Sequence, residues 1–163
     1  MDAVTLICGD ASGYQGPADF VFTHPYAPLP KQLRGLPMLI NLALPKGQEL
    51  TRIADAGRWT GAHLTPLSDW AKDGWNTIFV GNMPPREVDL TDLMAVEPGW
   101  FPEELPRRLL TLYADMIPSG GIIWDGFMGR GTVGKVAVEM GYSFVGMDNR
   151  ADRVALAREY LAA

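Results

Sequence analysis

The chain has 163 residues, of which 47% are hydrophobic and 20% are charged, as expected for one soluble globular domain. The formal net charge of −5 gives no general attraction to nucleic acid, so a DNA partner would need a local basic patch. The single cysteine excludes an internal disulfide framework, and the sequence has neither a signal-peptide pattern nor an apolar stretch long enough to cross a bilayer. These features predict a cytoplasmic protein.

Apolar runs of strand length alternate with helix patterns along the chain. Strands are predicted at residues 4–8, 19–23, within 37–44, weakly at 62–67, and at 75–80, 122–125 and 142–147. Helices are predicted at residues 48–56, 102–116, 132–140 and 152–162, and a surface loop at 81–100. The first strand is predicted to be buried, with Cys8 packed in the core. This alternation, with several strands apolar throughout, indicates an α/β fold with helices on both faces of the sheet.

The second predicted strand runs directly into a rigid turn, in the stretch "ADFVFTHPYAP" of residues 18–28. Thr23, His24, Pro25 and Tyr26 form this turn, and further prolines follow it. A strand that ends in a proline-rigid turn with an aromatic residue at its tip suggests that something is held there. The residues alone leave three interpretations open: an active site, the remnant of one, or an ordinary sheet edge.

The last third of the chain has the order strand, glycine loop, helix, strand and acid, in "GGIIWDGFMGRGTVGKVAVEMGYSFVGMDN". Gly126, Gly129 and Gly131 allow a tight turn and a close approach of the backbone to a ligand. The helix that follows begins with free N–H groups. Asp148 ends the next strand, where a carboxylate can accept hydrogen bonds from ribose hydroxyls. The pattern favours a nucleoside-binding site over a plain connecting turn.

The segment "WDGFMGRGTVGKVAVEMG" resembles the Asp-Pro-Phe-x-Gly-Ser-Gly-Thr-Thr segment of bacterial and phage DNA amino-methyltransferases, which act on adenine N6 or cytosine N4. In the permuted, beta-type members this loop comes late in the chain and a catalytic Asp-Pro-Pro-Tyr turn comes early, which is the order found here. "LICGDASGYQGPADFVFTHPY" and "GWFPEELPRRLLTLYADMIPSGG" look like the segments that open the two halves of these proteins. "WNTIFVGNMPP" is loosely similar to a late strand of the catalytic half. The resemblance covers nearly the whole chain and is loose at residues 30–100.

The resemblance implies a Rossmann-like fold that uses S-adenosylmethionine, in circularly permuted motif order. It implies one domain over residues 1–163, with a catalytic half at 1–100, a cofactor-binding half at 101–163, and no separate target-recognition domain. The cofactor residues that it implies are Asp125, Gly126, Phe127, Gly129 and Gly131 at the methionine end, Thr132 capping the helix there, Phe101 and Pro102 flanking the cofactor, Asp148 on the ribose and Asp10 near the adenine. Alternatively Asp10 is a turn residue, Asp125 a helix-start acid and Pro102 a first-turn proline.

The same resemblance implies that the Thr-His-Pro-Tyr turn is catalytic. Thr23 would accept a hydrogen bond from the target amino group, the His24 carbonyl would accept the second, and Tyr26 would stack on the flipped-out base. Because Thr23 stands where the family has an acid, its neutral hydroxyl makes the weaker hydrogen bond, and a slow enzyme is expected. Arg130 stands where a serine is usual and places a cation beside a cationic cofactor unless Asp125 or a phosphate pairs with it.

Two functions follow as hypotheses. The first is a methyltransferase that acts on adenine N6 or cytosine N4 of DNA and uses no metal. It is expected to form a homodimer and to belong to a restriction–modification system or a phage. The second is a catalytically inactive protein of the same fold that acts as a binding or regulatory partner. Methylation of a protein or a small molecule is also open. Core or rim positions are more common for tryptophan, but four tryptophans are candidates for base stacking, namely Trp59, Trp70, Trp75 and Trp100. His63 is expected to be a surface or strand residue.

Overall fold

A computed structural model describes residues 3–71, 76–96 and 100–163. Seven strands form one sheet in the order β1-β7-β6-β2-β3-β5-β4. The strands are β1 (Val4–Cys8), β2 (Phe20–Thr23), β3 (Met38–Ala43), β4 (Leu64–Trp70), β5 (Asn76–Gly81), β6 (Ile122–Asp125) and β7 (Ser143–Asp148). The helices are α1 (Glu49–Thr60), α2 (Glu104–Leu112), α3 (Thr132–Glu139) and α4 (Ala151–Ala162).

The sheet is mostly parallel. Strands β1, β7, β6, β2 and β3 are parallel neighbours, whereas β5 runs antiparallel to both β3 and β4. The parallel strands therefore end at one edge of the sheet, and the loops that follow β1, β2, β6 and β7 lie side by side. Ligands of open α/β sheets bind at this edge, where neighbouring connections lead to opposite faces.

Helices cover both faces, because alternate residues of the central strands point to opposite sides. In β2, Phe20 and Phe22 pack on the side of α2, α3 and α4, whereas Val21 packs on the side of α1. All three side chains are fully buried. The predicted α/β fold, a mostly parallel sheet with helices on both faces, is confirmed. None of the helices in the described part of the chain is long and apolar enough to span a bilayer.

Several local predictions were wrong. Cys8 is exposed because β1 is an edge strand with only one neighbour, so an apolar run does not by itself place the residue in the core. Helix α1 continues through Gly57 to Thr60 and ends at Gly61, which supplies the left-handed conformation (φ 65°) of a helix end. The predicted helix at 102–116 ends at Leu112 and is followed by a separate 3-10 turn at Ala114–Met116.

The long connection after β5 is irregular, as predicted, but it is not simply a surface loop. Among its described residues, 82–96, Leu90 is fully buried and Leu93 nearly so. Both pack into the core on the α2 side of the sheet. The weak strand predicted at 62–67 is a seven-residue strand, β4, at one edge of the sheet, a position that tolerates Pro66.

Candidate functional site

A cleft of about 750 Å³ lies at the carboxyl edge of the parallel strands. Its walls come from the loops after β1, β2, β6 and β7 and from the chain just before α2. Most of the predicted site residues line it, namely Asp10, His24, Tyr26, Phe101, Asp125, Gly126, Phe127, Gly129, Thr132 and Asp148. Four predicted residues do not line it: Thr23, Pro25, Pro102 and Gly131. The topology thus brings the early turn and the late glycine loop to one site.

The glycine loop between β6 and α3 is held by backbone hydrogen bonds, one to strand β7 and one within the loop. The N–H of Met128 donates to the carbonyl of Met147 at 2.9 Å, and the N–H of Gly131 donates to the carbonyl of Met128 at 2.9 Å. Gly129 and Gly131 have φ of 55° and 87°, a left-handed conformation that favours glycine. Gly131, with no side chain, occupies the position that caps α3, so the prediction that Thr132 caps this helix was wrong.

Gly126 occupies the position of the proline in the Asp-Pro-Phe segment that this loop resembles, and the packing of Trp124 explains the difference. A Cβ at Gly126 would lie 2.2 Å from the Trp124 ring and 2.8 Å from the Cβ of Ala11. Trp124 is fully buried, and its indole Nε1 has no hydrogen-bond partner among the described residues. The Trp124 ring therefore occupies the space that a side chain at position 126 would need.

Asp125 ends β6 and is almost completely buried at the floor of the cleft. Its Oδ1 accepts hydrogen bonds from the Thr23 hydroxyl at 2.6 Å and from the Phe127 N–H at 3.1 Å. Burial raises the pKa of Asp125 to about 7, against the two hydrogen bonds, and the negative charge of Asp148 raises it further. Near neutral pH this carboxyl group therefore changes its charge readily.

Asp148 ends β7 and is also nearly buried. Its Oδ2 accepts the Gly129 N–H at 3.2 Å, and its Oδ1 accepts the Arg150 N–H at 3.0 Å. Arg153 lies 3.8 Å from Oδ2. Because each carboxylate oxygen has two lone pairs, both oxygens retain capacity to accept hydrogen bonds from a ligand in the cleft.

The Thr-His-Pro-Tyr turn follows β2. Thr23 is fully buried and does not line the cleft. Its hydroxyl donates to Asp125, whereas the prediction had it facing the target directly. Pro25 is buried, and Tyr26 is 61% exposed. The Tyr26 ring lies against that of His24 at 4.7 Å between centroids and meets the edge of Phe127 at 6.1 Å. Tyr26 is therefore the aromatic group that the turn presents to a ligand.

His24 is half-buried and is held by a polar network beneath the turn. Its Nδ1 lies 3.4 Å from the amide nitrogen of the buried Asn41, whose carbonyl oxygen accepts the Trp70 indole N–H at 2.7 Å. Burial lowers the pKa of His24 to about 4, and the charge of Arg52 lowers it further. The imidazole is therefore neutral at physiological pH. The sequence did not identify Asn41, because an asparagine inside an apolar strand carries no motif.

Arg130 pairs with neither Asp125 nor any other acid among the described residues. Its guanidinium lies over the rings of Trp100 at 5.1 Å and Tyr160 at 4.6 Å. It also donates from Nε to the Thr132 hydroxyl at 3.1 Å and from Nη2 to the Phe101 carbonyl at 3.4 Å. The aromatic contacts hold this cation at the wall of the cleft without neutralising it.

Phe101 lines the cleft with its ring packed against Trp70 at 5.5 Å and Phe22 at 6.3 Å. Asp10 is exposed, and its Oδ1 accepts hydrogen bonds from the N–H and the hydroxyl of Ser12 at 3.0 and 2.9 Å. Asp10 therefore caps the 3-10 turn at Ala11–Gly13 as well as lining the cleft. Pro102 accepts the Leu105 N–H at the start of α2 and stays outside the cleft.

The four tryptophans that were candidates for base stacking occupy different environments. Trp70 is buried in the core, Trp59 is half-buried away from the cleft, and Trp100 lines the cleft under Arg130. Trp75 lies outside the described residues. His63 is exposed, as predicted. Within residues 3–71, 76–96 and 100–163, no cluster of three or more histidine, cysteine or acidic side chains is arranged to hold a metal ion.

A search of curated proteins finds no match to this sequence. A family model described as DNA methylase, for the N6 and N4 methyltransferases, matches residues 46–159. This range includes the glycine loop, Asp125 and Asp148 but begins after the Thr-His-Pro-Tyr turn. The position of the turn on the same cleft is what connects it to the matched region.

Several solved structures are similar to the whole chain. The complex of M1.HpyAVI with SAM is 14% identical, with a TM-score of 0.63, and the match covers 96% of this chain and 99% of that one. The DNA modification methylase TTHA0409 of Thermus thermophilus, complexed with S-adenosyl-L-methionine, is 16% identical, with a TM-score of 0.67 over 96% and 92%. The cytosine-N4-specific PvuII DNA methyltransferase is 14% identical, with a TM-score of 0.60 over 95% and 85%. At these identities the likeness establishes the Rossmann-like methyltransferase fold.

The family model covers well over half of the chain. This chain belongs to the N6/N4 DNA methylase family.

Proposed function

We propose that this member of the DNA methylase family transfers the methyl group of S-adenosylmethionine to an exocyclic amino group of DNA, either adenine N6 or cytosine N4. The observation that carries the proposal is the common cleft, which joins the glycine loop, Asp125 and Asp148 to His24 and Tyr26. Its volume of about 750 Å³ is within the range of cofactor and substrate sites, which is roughly 300–1,000 Å³. The similar structures of M1.HpyAVI and TTHA0409, each solved with this cofactor, support the assignment.

The residues around the glycine loop fit the cofactor chemically. Asp148 retains free lone pairs for the two ribose hydroxyls, and Asp10 can accept a hydrogen bond from the adenine amino group. Phe101 offers an apolar wall. The guanidinium of Arg130, which pairs with no acid among the described residues, can bind the carboxylate of the methionine end. Its positive charge therefore suits a cofactor that carries a carboxylate as well as a sulfonium. The rest of the cofactor side of the cleft is formed or supported by Gly126, Phe127, Gly129, Gly131 and Thr132.

Bound S-adenosylmethionine supplies an electrophilic methyl group. The exocyclic nitrogen of the base is a poor nucleophile because its lone pair is delocalised into the ring, and hydrogen bonds from both of its hydrogens to acceptors on the protein make that lone pair available. The backbone carbonyl of His24 is the first acceptor. The Asp125 carboxylate, which lines the cleft, is the second and can take up the proton released by the reaction.

Thr23 then acts as a positioning residue. Its hydroxyl hydrogen is donated to Asp125, so it orients the carboxylate and favours the charged form. Tyr26 is the stacking platform for the flipped-out base, and the buried Pro25 holds the turn rigid.

A local positive surface helps to explain how an acidic protein approaches DNA. Burial raises the pKa of Tyr26, and the charges of Arg153 and Arg52, which lie close enough to act on it, oppose that rise. The guanidinium of Arg52 donates to the Gln48 side chain at 3.3 Å and pairs with no acid in the described part of the chain. The Arg52 cation near Tyr26 is therefore available for a DNA phosphate despite the net charge of −5, whereas Arg153, which lines the cleft, already lies 3.8 Å from Asp148.

We further propose the organisation and setting that the sequence predicted. Residues 1–100 act as a catalytic half and 101–163 as a cofactor-binding half of one domain. Two copies engage the DNA, because residues 1–163 of a single copy offer a small footprint. The cytoplasm and a restriction–modification or phage setting stay predictions. Light scattering with and without DNA measures the assembly, and monomer mass under both conditions excludes the dimer.

The central experiment measures transfer of a labelled methyl group from S-adenosylmethionine to unmethylated genomic DNA, followed by chromatography of the nucleosides. We expect label in N6-methyladenine or N4-methylcytosine. Asp148→Asn is the matched control, because it keeps the shape and removes the charge that receives the ribose. Cofactor binding without transfer to any DNA contradicts the proposal and favours the inactive binding partner instead.

A further inference from the structure

His24 stands on the cleft at a position where the resembling turn has proline. Unlike proline, histidine brings a ring nitrogen that can donate a hydrogen bond to a ligand. Whether it does so depends on which ring nitrogen carries the proton, and the neighbouring side chains decide that question.

The orientation of the Asn41 amide is fixed by Trp70. An indole N–H can only donate, and it lies 2.7 Å from the Asn41 side-chain oxygen, so that atom is the carbonyl. The other end of the amide is therefore the NH2 group, which donates to the Asn76 side-chain oxygen at 3.0 Å and faces His24 Nδ1 at 3.4 Å. Since an NH2 group has no acceptor, Nδ1 of His24 must be the acceptor in this pair.

A neutral imidazole has one protonated nitrogen, so acceptance at Nδ1 leaves the proton on Nε2. The hydroxyl of Tyr26, also 3.4 Å from Nδ1, can only reinforce this tautomer by donating to the same atom. Among the described residues no side chain or backbone group bonds to Nε2. The single buried side-chain atom without a partner in that part of the protein is Trp124 Nε1, so His24 Nε2 is not sealed in the interior. Its open side is the cleft that His24 lines.

We propose that His24 donates a hydrogen bond from Nε2 to the ring nitrogen beside the reacting amino group, which is N1 of adenine or N3 of cytosine. This inference rests on the proposed function and assigns a specificity-determining residue within that site. Adenine and cytosine present an acceptor at this position, whereas guanine N1 and thymine N3 carry a proton and would face the donor unfavourably. The backbone carbonyl of His24 accepts from the amino group while its ring donates to the neighbouring nitrogen, so one residue reads both features of the base edge.

The contact acts on binding more than on the chemical step. A donor at the ring nitrogen withdraws electron density from the amino nitrogen and so does not assist its attack. Loss of the contact therefore raises the KM for DNA and leaves kcat unchanged or slightly higher. A residue with a purely structural role would lower kcat and stability together.

The test is a double-mutant cycle between protein and base. One arm replaces the target adenine by 1-deazaadenine, or cytosine by 3-deazacytosine, in an oligonucleotide duplex; the other is His24→Phe, which keeps an aromatic ring beside Tyr26. In the parent the deaza base should lower kcat/KM by about 3- to 10-fold, the range of one neutral hydrogen bond. In His24→Phe the two bases should be used equally, and His24→Gln, which retains an N–H donor, should recover part of the discrimination. Equal losses in the parent and in His24→Phe overturn the inference.

A second measurement does not depend on catalysis. The chain has two histidines, and the exposed His63 provides an internal reference for ¹⁵N spectra of the imidazole rings. Near neutral pH we expect His24 as the Nε2–H tautomer. In the presence of S-adenosylhomocysteine, 2′-deoxyadenosine or 2′-deoxycytidine should shift its Nε2 resonance, and the matching deaza nucleoside should not. A proton on Nδ1, or no response to either nucleoside, overturns the inference. Failure of the DNA assay alone contradicts the proposed function and leaves these spectra to decide the role of His24.

Discussion

The hydroxyl of Thr23 donates a 2.6 Å hydrogen bond to Oδ1 of Asp125, although the two residues are 102 positions apart. Both side chains are buried, and they end the adjacent strands β2 and β6. The bond joins the early turn to the late glycine loop. The negative charge that the turn lacks at position 23 is therefore present beside it, on Asp125.

This pair predicts a shift in the pH dependence of methyl transfer. The Thr23 hydrogen bond lowers the pKa of Asp125, which burial raises to about 7. In Thr23→Val the bond is lost, so the pKa rises and the acid limb of the profile of kcat/KM against pH moves to higher pH. Thr23→Ser retains the hydroxyl and serves as the control. An unchanged acid limb in Thr23→Val with normal cofactor affinity contradicts the role given to this bond.

Asp125 also predicts how stability depends on pH. Its pKa in the folded protein, about 7, is above its ordinary value of 3.8, so between these values the folded state binds more protons than the unfolded state. Its contribution to stability therefore decreases as pH rises from about 4 to 7. We expect Asp125→Asn to be more stable than the parent at pH 8, by on the order of a few kcal/mol, and similar at pH 4. Urea unfolding at both pH values measures this, and equal free energies of unfolding at pH 8 would falsify the assignment of a raised pKa.

The glycine loop predicts a packing conflict. A Cβ at Gly126 would lie 2.2 Å from the Trp124 ring, so Gly126→Ala should lower the free energy of unfolding by about 1–3 kcal/mol. Trp124→Leu removes the ring, so Gly126→Ala should lower the free energy of unfolding less in the Trp124→Leu background than in the parent. Gly129→Ala is a comparison without a steric conflict, because no atom lies within 4 Å of its added Cβ, although its φ of 55° still carries strain. Additive effects of the Gly126 and Trp124 substitutions would contradict the coupling.

The sequence could predict features that depend on residues close together in the chain, but not those that depend on which distant segments become neighbours. The glycine loop and Asp148 were predictable because their geometry is local to one strand, loop, helix and strand. The Thr23–Asp125 bond was not, because it depends on which strands become neighbours. The prediction that Cys8 is buried was wrong for the same reason, because the sequence of an apolar strand is similar at the edge and at the centre of a sheet. Arg153, at the cleft beside Asp148, could have been suspected only from its place in the first turns of α4.

Arg52 predicts the salt dependence of DNA binding. Its cation lies near Tyr26, is not neutralised by an acid in the described part of the chain, and is available to a phosphate. Arg52→Gln should reduce the slope of log K against log salt by about 1 and weaken binding to all sequences alike. Arg58→Gln is the matched control on the same helix, because Arg58 already pairs with Asp55. Equal slopes for the parent and Arg52→Gln, measured by fluorescence anisotropy, would place the phosphates elsewhere.

Tyr26 predicts the energy of base stacking. Its ring is 61% exposed and is oriented by contacts with His24 and Phe127, so the protein holds the platform in place before the base arrives. Tyr26→Ala should raise the KM for DNA by an amount equivalent to about 1–3 kcal/mol, while Tm and cofactor affinity change little because the side chain is outside the core. Tyr26→Phe keeps the stacking surface and loses only the hydroxyl that lies 3.4 Å from His24 Nδ1, so it should remain close to the parent. If Tyr26→Ala methylates DNA with the KM of the parent, the base stacks on another surface, and the turn's part in the reaction is reduced to its backbone carbonyl.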